Sequence, residues 1–226
     1  AAGKDLLCMY LNNNEDSQLF TGKSLRLGGS KELYKENGTV FGDLSAILID
    51  NMPFWAEFSS TPSSKVSLMS DWEYKMQAIV DETINENVTS LTGVPSWMLV
   101  LLNNVLETAG KQNLHDVWPN LEVYFHGGVS FTPYVDQYKK ILPKNNFKYY
   151  EIYNASEGFF AIQDQNNSSE LLLMLDYGIF YEFIPMNIYE SSDECAIPLS
   201  EVKLNHNYAV VITTNAGLWR YKIGDT

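Results

Sequence analysis

The sequence predicts an α/β fold: a parallel sheet built of βαβ units and flanked by helices, followed by an antiparallel β hairpin region. Three observations carry this expectation. Strand-like and helix-like patterns alternate from about residue 70 to Gly158. The connections are short crossovers of the kind that join parallel neighbours. Beyond Gly158, pairs of apolar runs flank turn-forming residues, which reads as hairpins. The change of pattern puts a boundary near residue 160, dividing the chain into 1–160 and a mainly antiparallel 161–226.

Each element has a local reason. Asp5 to Leu11 is helix-like and ends in the polar run Asn12-Asn13-Asn14. Leu25-Arg26-Leu27 reads as a strand ending at Gly28-Gly29-Ser30. Ser70 and Glu73 are spaced as a capping box, opening a helix with Trp72, Met76, Ile79, Val80 and Ile84 on one face. Val88 to Leu91 is a short strand, and Pro95 suits the first turn of the helix that follows. That helix stops at Gly110, and its run Met98 to Leu102 is apolar nearly all round, which predicts burial. Leu121 to Phe125 is the next strand, and Thr132-Pro133 caps a helix with Val135, Tyr138, Ile141 and Leu142 inward. Phe147 to Tyr153 is a third strand, closed by the turn Asn154 to Gly158. Leu171 to Met174 and Ile179 to Ile184 flank Asp176-Tyr177-Gly178 as one hairpin, and Tyr208 to Thr214 and Leu218 to Ile223 flank Asn215-Ala216-Gly217 as a second.

In this arrangement the turns at Gly93, at Gly127-Gly128 and at Ser156-Glu157-Gly158 fall at the carboxyl ends of parallel strands. That edge is where open α/β sheets bind ligands.

Composition narrows the ligand. The 226 residues carry a net charge of −13, with 45% apolar and 13% aromatic residues. So acidic a chain repels nucleic acid and anionic membranes, and neither is expected as a partner. An anionic ligand needs local help from backbone N–H groups, a metal ion or a few placed cations. Cys8 and Cys195 stand alone, which suggests a reducing, cytoplasmic setting. The three scattered histidines make no zinc spacing. The chain opens without methionine and stops straight after a strongly patterned segment, so it reads as a piece of a longer protein.

Two constellations could carry chemistry. Tyr153-Asn154-Ala155-Ser156-Glu157-Gly158 sets an aromatic face, a hydroxyl, a carboxylate and a glycine in one turn. A ring stacks on a base, a hydroxyl bonds phosphate, and a carboxylate holds Mg²⁺. The same hexapeptide also reads as a polar turn with Tyr153 as a core aromatic. In Trp219-Arg220-Tyr221-Lys222-Ile223-Gly224-Asp225, Asp225 could accept from both ribose hydroxyls and Arg220 could face phosphate. Its plainer reading is an alternating strand ending in a turn. His126-Gly127-Gly128-Val129 allows a close backbone approach to a planar ligand, or is an ordinary turn with a structural histidine. Gly22-Lys23-Ser24 is not a P-loop, because Ser17 stands where that pattern needs glycine.

Taken in order, these segments resemble the auxin-responsive acyl acid–amido synthetase family, within the adenylate-forming superfamily, and look like its bacterial branch. The resemblance also covers Phe20 to Ser30, Gly93-Val94-Pro95-Ser96-Trp97 and Trp118-Pro119-Asn120-Leu121. It implies ATP and Mg²⁺ as cofactors, and a small-molecule carboxylic acid and an amino acid as partners. It implies that Tyr153 stacks on adenine, with Gly127, Gly128 and Val129 lining the base beside Asn154 and Ala155. Ser156 would contact phosphate, Glu157 would sit near Mg²⁺ and the α-phosphate, and Asp225 would bind ribose. Val94 and Trp97 would line the acyl site. Residues 1–160 would then be the acyl- and nucleotide-binding part, and 161–226 would end at the ribose-binding turn. The family's phosphate loop is expected before residue 1 and its mobile C-terminal domain after residue 226, so this piece is expected to be inactive alone. Transfer to coenzyme A in place of an amine, or nucleotide binding without catalysis, remain as alternatives.

Overall fold

Residue period decides the elements, and the computed structural model describes residues 2–29 and 34–224. The first stretch holds α1 (Ala2–Asn13), β1 (Lys23–Arg26), β2 (Tyr34–Glu36), β3 (Thr39–Phe41), α2 (Leu44–Asp50), α3 (Phe54–Phe58), β4 (Ser60–Thr61) and α4 (Ser64–Ser67). The alternating region follows with α5 (Trp72–Thr83), β5 (Val88–Gly93), α6 (Pro95–Ala109), β6 (Val123–Gly127), α7 (Val135–Ile141) and β7 (Lys148–Ala155). The last part holds β8 (Gly158–Ile162), β9 (Leu172–Leu173), β10 (Ile179–Pro185), β11 (Ile197–Pro198), β12 (Tyr208–Thr214) and β13 (Tyr221–Lys222).

The main sheet has seven strands in the order β4-β1-β5-β6-β7-β8-β9. The pairs from β4 to β7 are parallel, and β8 and β9 add to the edge antiparallel. This is the α/β architecture the alternation predicts. One face is covered by α5, α6 and α7, whose Met76, Ile79, Leu101, Leu102 and Tyr138 pack with Leu91 and Tyr124 of the sheet. The other face carries α1, whose Leu6 and Tyr10 meet Val123, Phe125 and Tyr150. Strands covered on both faces are apolar on both, which is why β6 reads as a buried run. A second sheet, β11-β10-β12-β13, is antiparallel. It shares a core with the first through Phe160, Tyr181, Phe183 and Ile212.

Caps and turns account for the boundaries. Pro95 opens α6 and Gly110 ends it at φ 63°, as expected. The cap of α5 is one residue later than the capping box places it: Asp71 accepts from the Tyr74 amide at 3.1 Å. A carboxylate at that end also meets the helix dipole favourably. Met98, Leu99, Leu101 and Leu102 are buried, but Val100 faces out. The Thr132 hydroxyl does not cap; Thr132–Tyr134 form a 3-10 turn leading into α7.

One expectation for the tail needs correction. The hairpin expected around Asp176-Tyr177-Gly178 does not form. β9 stays in the first sheet on β8, with Leu173 opposite Ala161, while β10 pairs with β12 over seven residues in the second. Residues 174–178 therefore carry the chain between sheets. The antiparallel pattern begins at β8, which still belongs to the first sheet. The hairpin around Asn215-Ala216-Gly217 does form, with Ile212 opposite Tyr221. Among the described residues no helix is long and apolar enough to cross a membrane.

Candidate functional site at the carboxyl edge of the parallel sheet

Parallel pairing brings the ends of β1, β5, β6 and β7 to one edge, with Gly93 beside His126 and Gly127 beside Ile152. The loops leaving these strands touch in sequence. Gly127 lies so close to β7 that a Cβ there would fall 2.3 Å from the Ile152 carbonyl oxygen and 3.1 Å from Asn154 Oδ1. Gly128 has φ 83°, a conformation that favours glycine, and faces Val94 Cγ2 of the β5 turn. The β6 turn is thereby clamped between Val94 on one side and Asn154 on the other. A bulge between Tyr153 and Asn154 re-aims the end of β7 before the Ser156-Glu157 turn.

The predicted nucleotide residues of the β6 and β7 turns lie at this edge. Tyr153 is half-buried and packs on Phe160, ring centroids 4.9 Å apart. Ala155 belongs to the core shared by the two sheets. Asn154 and Ser156 are exposed and Glu157 is half-buried. Gly128 and Val129 are exposed, so the edge is an open shelf with Gly127 at its back. Val94 is the residue before α6, and Trp97, in its first turn, is half-exposed. Trp97 sits edge-on to Trp72 at 4.8 Å.

Other residues are placed differently from the simple expectation. Arg220 is not a free cation: its Nε donates to Glu182 Oε2 at 3.0 Å. Lys222 is paired with Glu194 at 2.5 Å. Asp225 lies outside the described residues. The Glu157 carboxylate, as a hydrogen-bond acceptor, raises the Tyr221 phenol above its usual range.

Sequence reasoning missed two buried polar groups. Lys75 is fully buried and donates to the carbonyls of Gly28 at 2.8 Å and Gly29 at 2.9 Å, ordering the loop after β1. Burial lowers its pKa, while Asp43 acts in the opposite direction. The signal was legible: Lys75 is three residues after Trp72 and four before Ile79, inside the apolar stripe of α5. His126 is buried against Phe131, ring centroids 4.1 Å apart, with Nδ1 unpartnered. Burial depresses it to about 4 and raises its strand neighbour Glu151, so the imidazole is neutral near pH 7.

The donor set suits a metal that arrives with phosphate. Among the described residues no cluster of three or more His, Cys, Asp or Glu side chains could hold a metal ion. A single carboxylate such as Glu157 fits Mg²⁺ only where nucleotide phosphates supply further oxygens. The shelf formed at Gly127 and Gly128, without side chains, gives a flat base room to approach backbone.

The GH3 family N-terminal domain matches residues 1–147, and the GH3 family central domain matches residues 172–226. An indole-3-acetic acid-amido synthetase GH3.4 of Arabidopsis thaliana is 32% identical over 163 residues, covering 65% of this chain and 26% of that protein. A 4-substituted benzoates-glutamate ligase GH3.12 of the same plant is 28% identical over 179 residues, covering 70% and 30%. The chain thus spans under a third of the length of these relatives. The solved structure of a GH3.15 acyl acid amido synthetase superposes with a TM-score of 0.74 at 16% identity, over 97% of this chain and 48% of that one. With one matched domain covering well over half of the sequence and a second covering its tail, the chain belongs to the GH3 family.

Proposed function

We propose that the shelf at the carboxyl edge is the nucleotide side of an adenylation site in an acyl acid–amido synthetase. One observation carries this reading: Val94, Gly128, Gly127 and Asn154 are successive neighbours along a single edge, and the Ser156-Glu157 turn follows β7 there. Membership of the GH3 family and the activities of these relatives support it.

In the first step a carboxylate oxygen attacks the α-phosphorus of ATP, the bond to the bridging oxygen breaks, and pyrophosphate leaves. In the second an amine, of an amino acid by this reading, attacks the acyl carbon. AMP leaves, and the amine proton passes to a base or water. Tyr153 and the Gly127-Gly128-Val129 backbone hold adenine, with Asn154 and Ala155 beside it. Ser156 contacts phosphate, and Asp225 binds ribose. Glu157 would hold the Mg²⁺ of Mg·ATP, and the ion would supply positive charge against that building at the α-phosphorus. Arg220 serves this site indirectly, through its pairing with Glu182. Val94 and Trp97 line the acyl side. The free, exposed Cys8 and Cys195 support a reducing, cytoplasmic setting. The bacterial affiliation rests on the motif resemblance alone.

Pyrophosphate release by the full-length protein, given ATP and a panel of carboxylic acids, tests the reading. Wild type is expected to release it and Glu157→Ala to lose at least 100-fold, an order-of-magnitude figure for a lost transition-state contact. Equal release by both would remove Glu157 from the mechanism. Supplying amino acids or coenzyme A separately distinguishes amide from thioester product.

A further inference from the structure

The Gly28-Gly29 turn at the carboxyl end of β1 is gripped on both sides of one peptide group. Its carbonyl side is taken by Lys75 of α5, whose Nζ donates to the Gly28 oxygen at 2.8 Å and to the Gly29 oxygen at 2.9 Å. Its amide side is taken by α2. The Gly29 N–H donates to Ser45 Oγ at 2.7 Å, and the Ser45 hydroxyl donates to Asp43, the cap of that helix. A Cβ on Gly29 would fall 2.6 Å from Asp43 Oδ1, so the turn has no slack on that side. Lys75 is fully buried, and its acceptors are two neutral carbonyls. Taking an ammonium out of water is costly, and an apolar residue at this place in the stripe would avoid that cost. The lysine serves the placement of the turn rather than the packing of α5.

That turn abuts the acyl side of the shelf. The Leu27 amide donates to the Thr92 carbonyl at 3.0 Å, and a Cβ on Gly93 would lie 3.1 Å from the Leu27 oxygen. The end of β1 therefore rests against the residue before Val94. Trp72, one helical turn before Lys75 on α5, meets Trp97 edge-on. Lys75 thus joins α5, the β1 turn and, through Trp72, the first turn of α6. We propose that Lys75 is a positioning residue that sets the far wall of the acyl site, formed by the Gly28-Gly29 turn, Trp72 and Trp97, and so the size of carboxylic acid that the site accepts. This rests on the reading that Val94 and Trp97 line the acyl side. Lys75 touches no substrate in this assignment; it acts through the turn and the helices it ties together, and Ser45 supports the same turn from α2.

The test is ATP–pyrophosphate exchange by the full-length protein. KM is measured separately for ATP and for the acid that wild type activates fastest among benzoate, indole-3-acetate and straight-chain carboxylates. Wild type, Lys75→Met, Ser45→Ala and Trp97→Ala are compared, with thermal unfolding as a folding control. Methionine keeps an unbranched, adaptable side chain and removes the donors. In Lys75→Met, KM for the acid is expected to rise about ten-fold, the scale of a pocket altered by one methylene, with KM for ATP unchanged. Ser45→Ala, which keeps the buried lysine, is expected to shift the acid KM by a smaller factor. A lysine that only stabilises the fold would lower the unfolding temperature and the active fraction and leave both KM values alone. An unchanged acid KM in Lys75→Met, or in Ser45→Ala should Lys75→Met not fold, overturns the positioning role while the site reading stands; so do equal rises for acid and ATP. If Trp97→Ala leaves the acid KM unchanged, or if wild type activates no acid, the acyl-side reading falls and the proposal falls with it.

Discussion

The edge formed by β5, β6 and β7 and the edge formed by β13 hold their side chains by different means. On the first, backbone contact does the work: Gly127 has no room for a Cβ, Gly128 is left-handed, and parallel register fixes both against β7. On the second, exposed charge pairs do it, Arg220 with Glu182 and Lys222 with Glu194. Close packing is stiff and insensitive to salt, whereas exposed pairs are worth about 0.2–1 kcal/mol and are screened. The difference teaches that one half of the candidate site is preformed, while the other is adjustable.

Substitutions should reproduce that ranking. The largest loss is expected in the core packed under the sheet that carries the first edge. Trp118 is fully buried and its Nε1 donates to the Thr83 carbonyl at 3.1 Å. Trp118→Ala should cost about 3–5 kcal/mol in urea unfolding. A loss under 1 kcal/mol would mean that the helical face is not the stabilising core.

The next effect is a pH dependence. His126 titrates at about 4 when folded and near 6.5 when unfolded, so the unfolded chain binds more protons between these values. Stability should therefore be fully present above about pH 6.5 and fall as pH drops towards 4, by up to about 3 kcal/mol from this group. Buried His115, also depressed by burial, adds to the same limb. His126→Gln should flatten the part of the slope that His115→Gln leaves. An unchanged slope would show that His126 protonates freely in the folded chain.

A smaller cost is expected at the shelf itself. Gly127→Ala forces a Cβ against the Ile152 carbonyl and should destabilise by about 1–3 kcal/mol, with a parallel loss of nucleotide affinity. The smallest belongs to the second edge. Arg220→Ala should cost under about 1 kcal/mol, and less still in 1 M salt. A cost at Arg220 as large as at Gly127 would erase the contrast.

The same contrast explains what the sequence could tell. The first edge was legible because its signals are local: Pro95 and Gly110 bound α6, the apolar stripe of α5 faces the core, and glycine turns close β5 and β6. The hairpin expected at Asp176-Tyr177-Gly178 failed because a turn signal does not choose a partner strand. β9 is taken by β8, and β10 by β12. Asp71 displaced Ser70 as the cap of α5 because both are good acceptors one residue apart and only geometry separates them. Lys75 was visible as a lysine in an apolar stripe, but its acceptors, Gly28 and Gly29, are far away in sequence. Asp225 lies outside the described residues, and its role is carried by the motif alone.

The central claim is that one nucleotide lies along the shelf from Gly127 to Glu157. A crystal structure of the full-length protein with a non-reactive acyl-adenylate analogue, its phosphate replaced by sulfamate, tests it most directly. The account predicts the adenine against the Gly127-Gly128 backbone and the Tyr153 ring, with the sulfamate near Ser156 and Glu157. Adenine bound elsewhere, with Gly127 and Glu157 both out of contact, would contradict it.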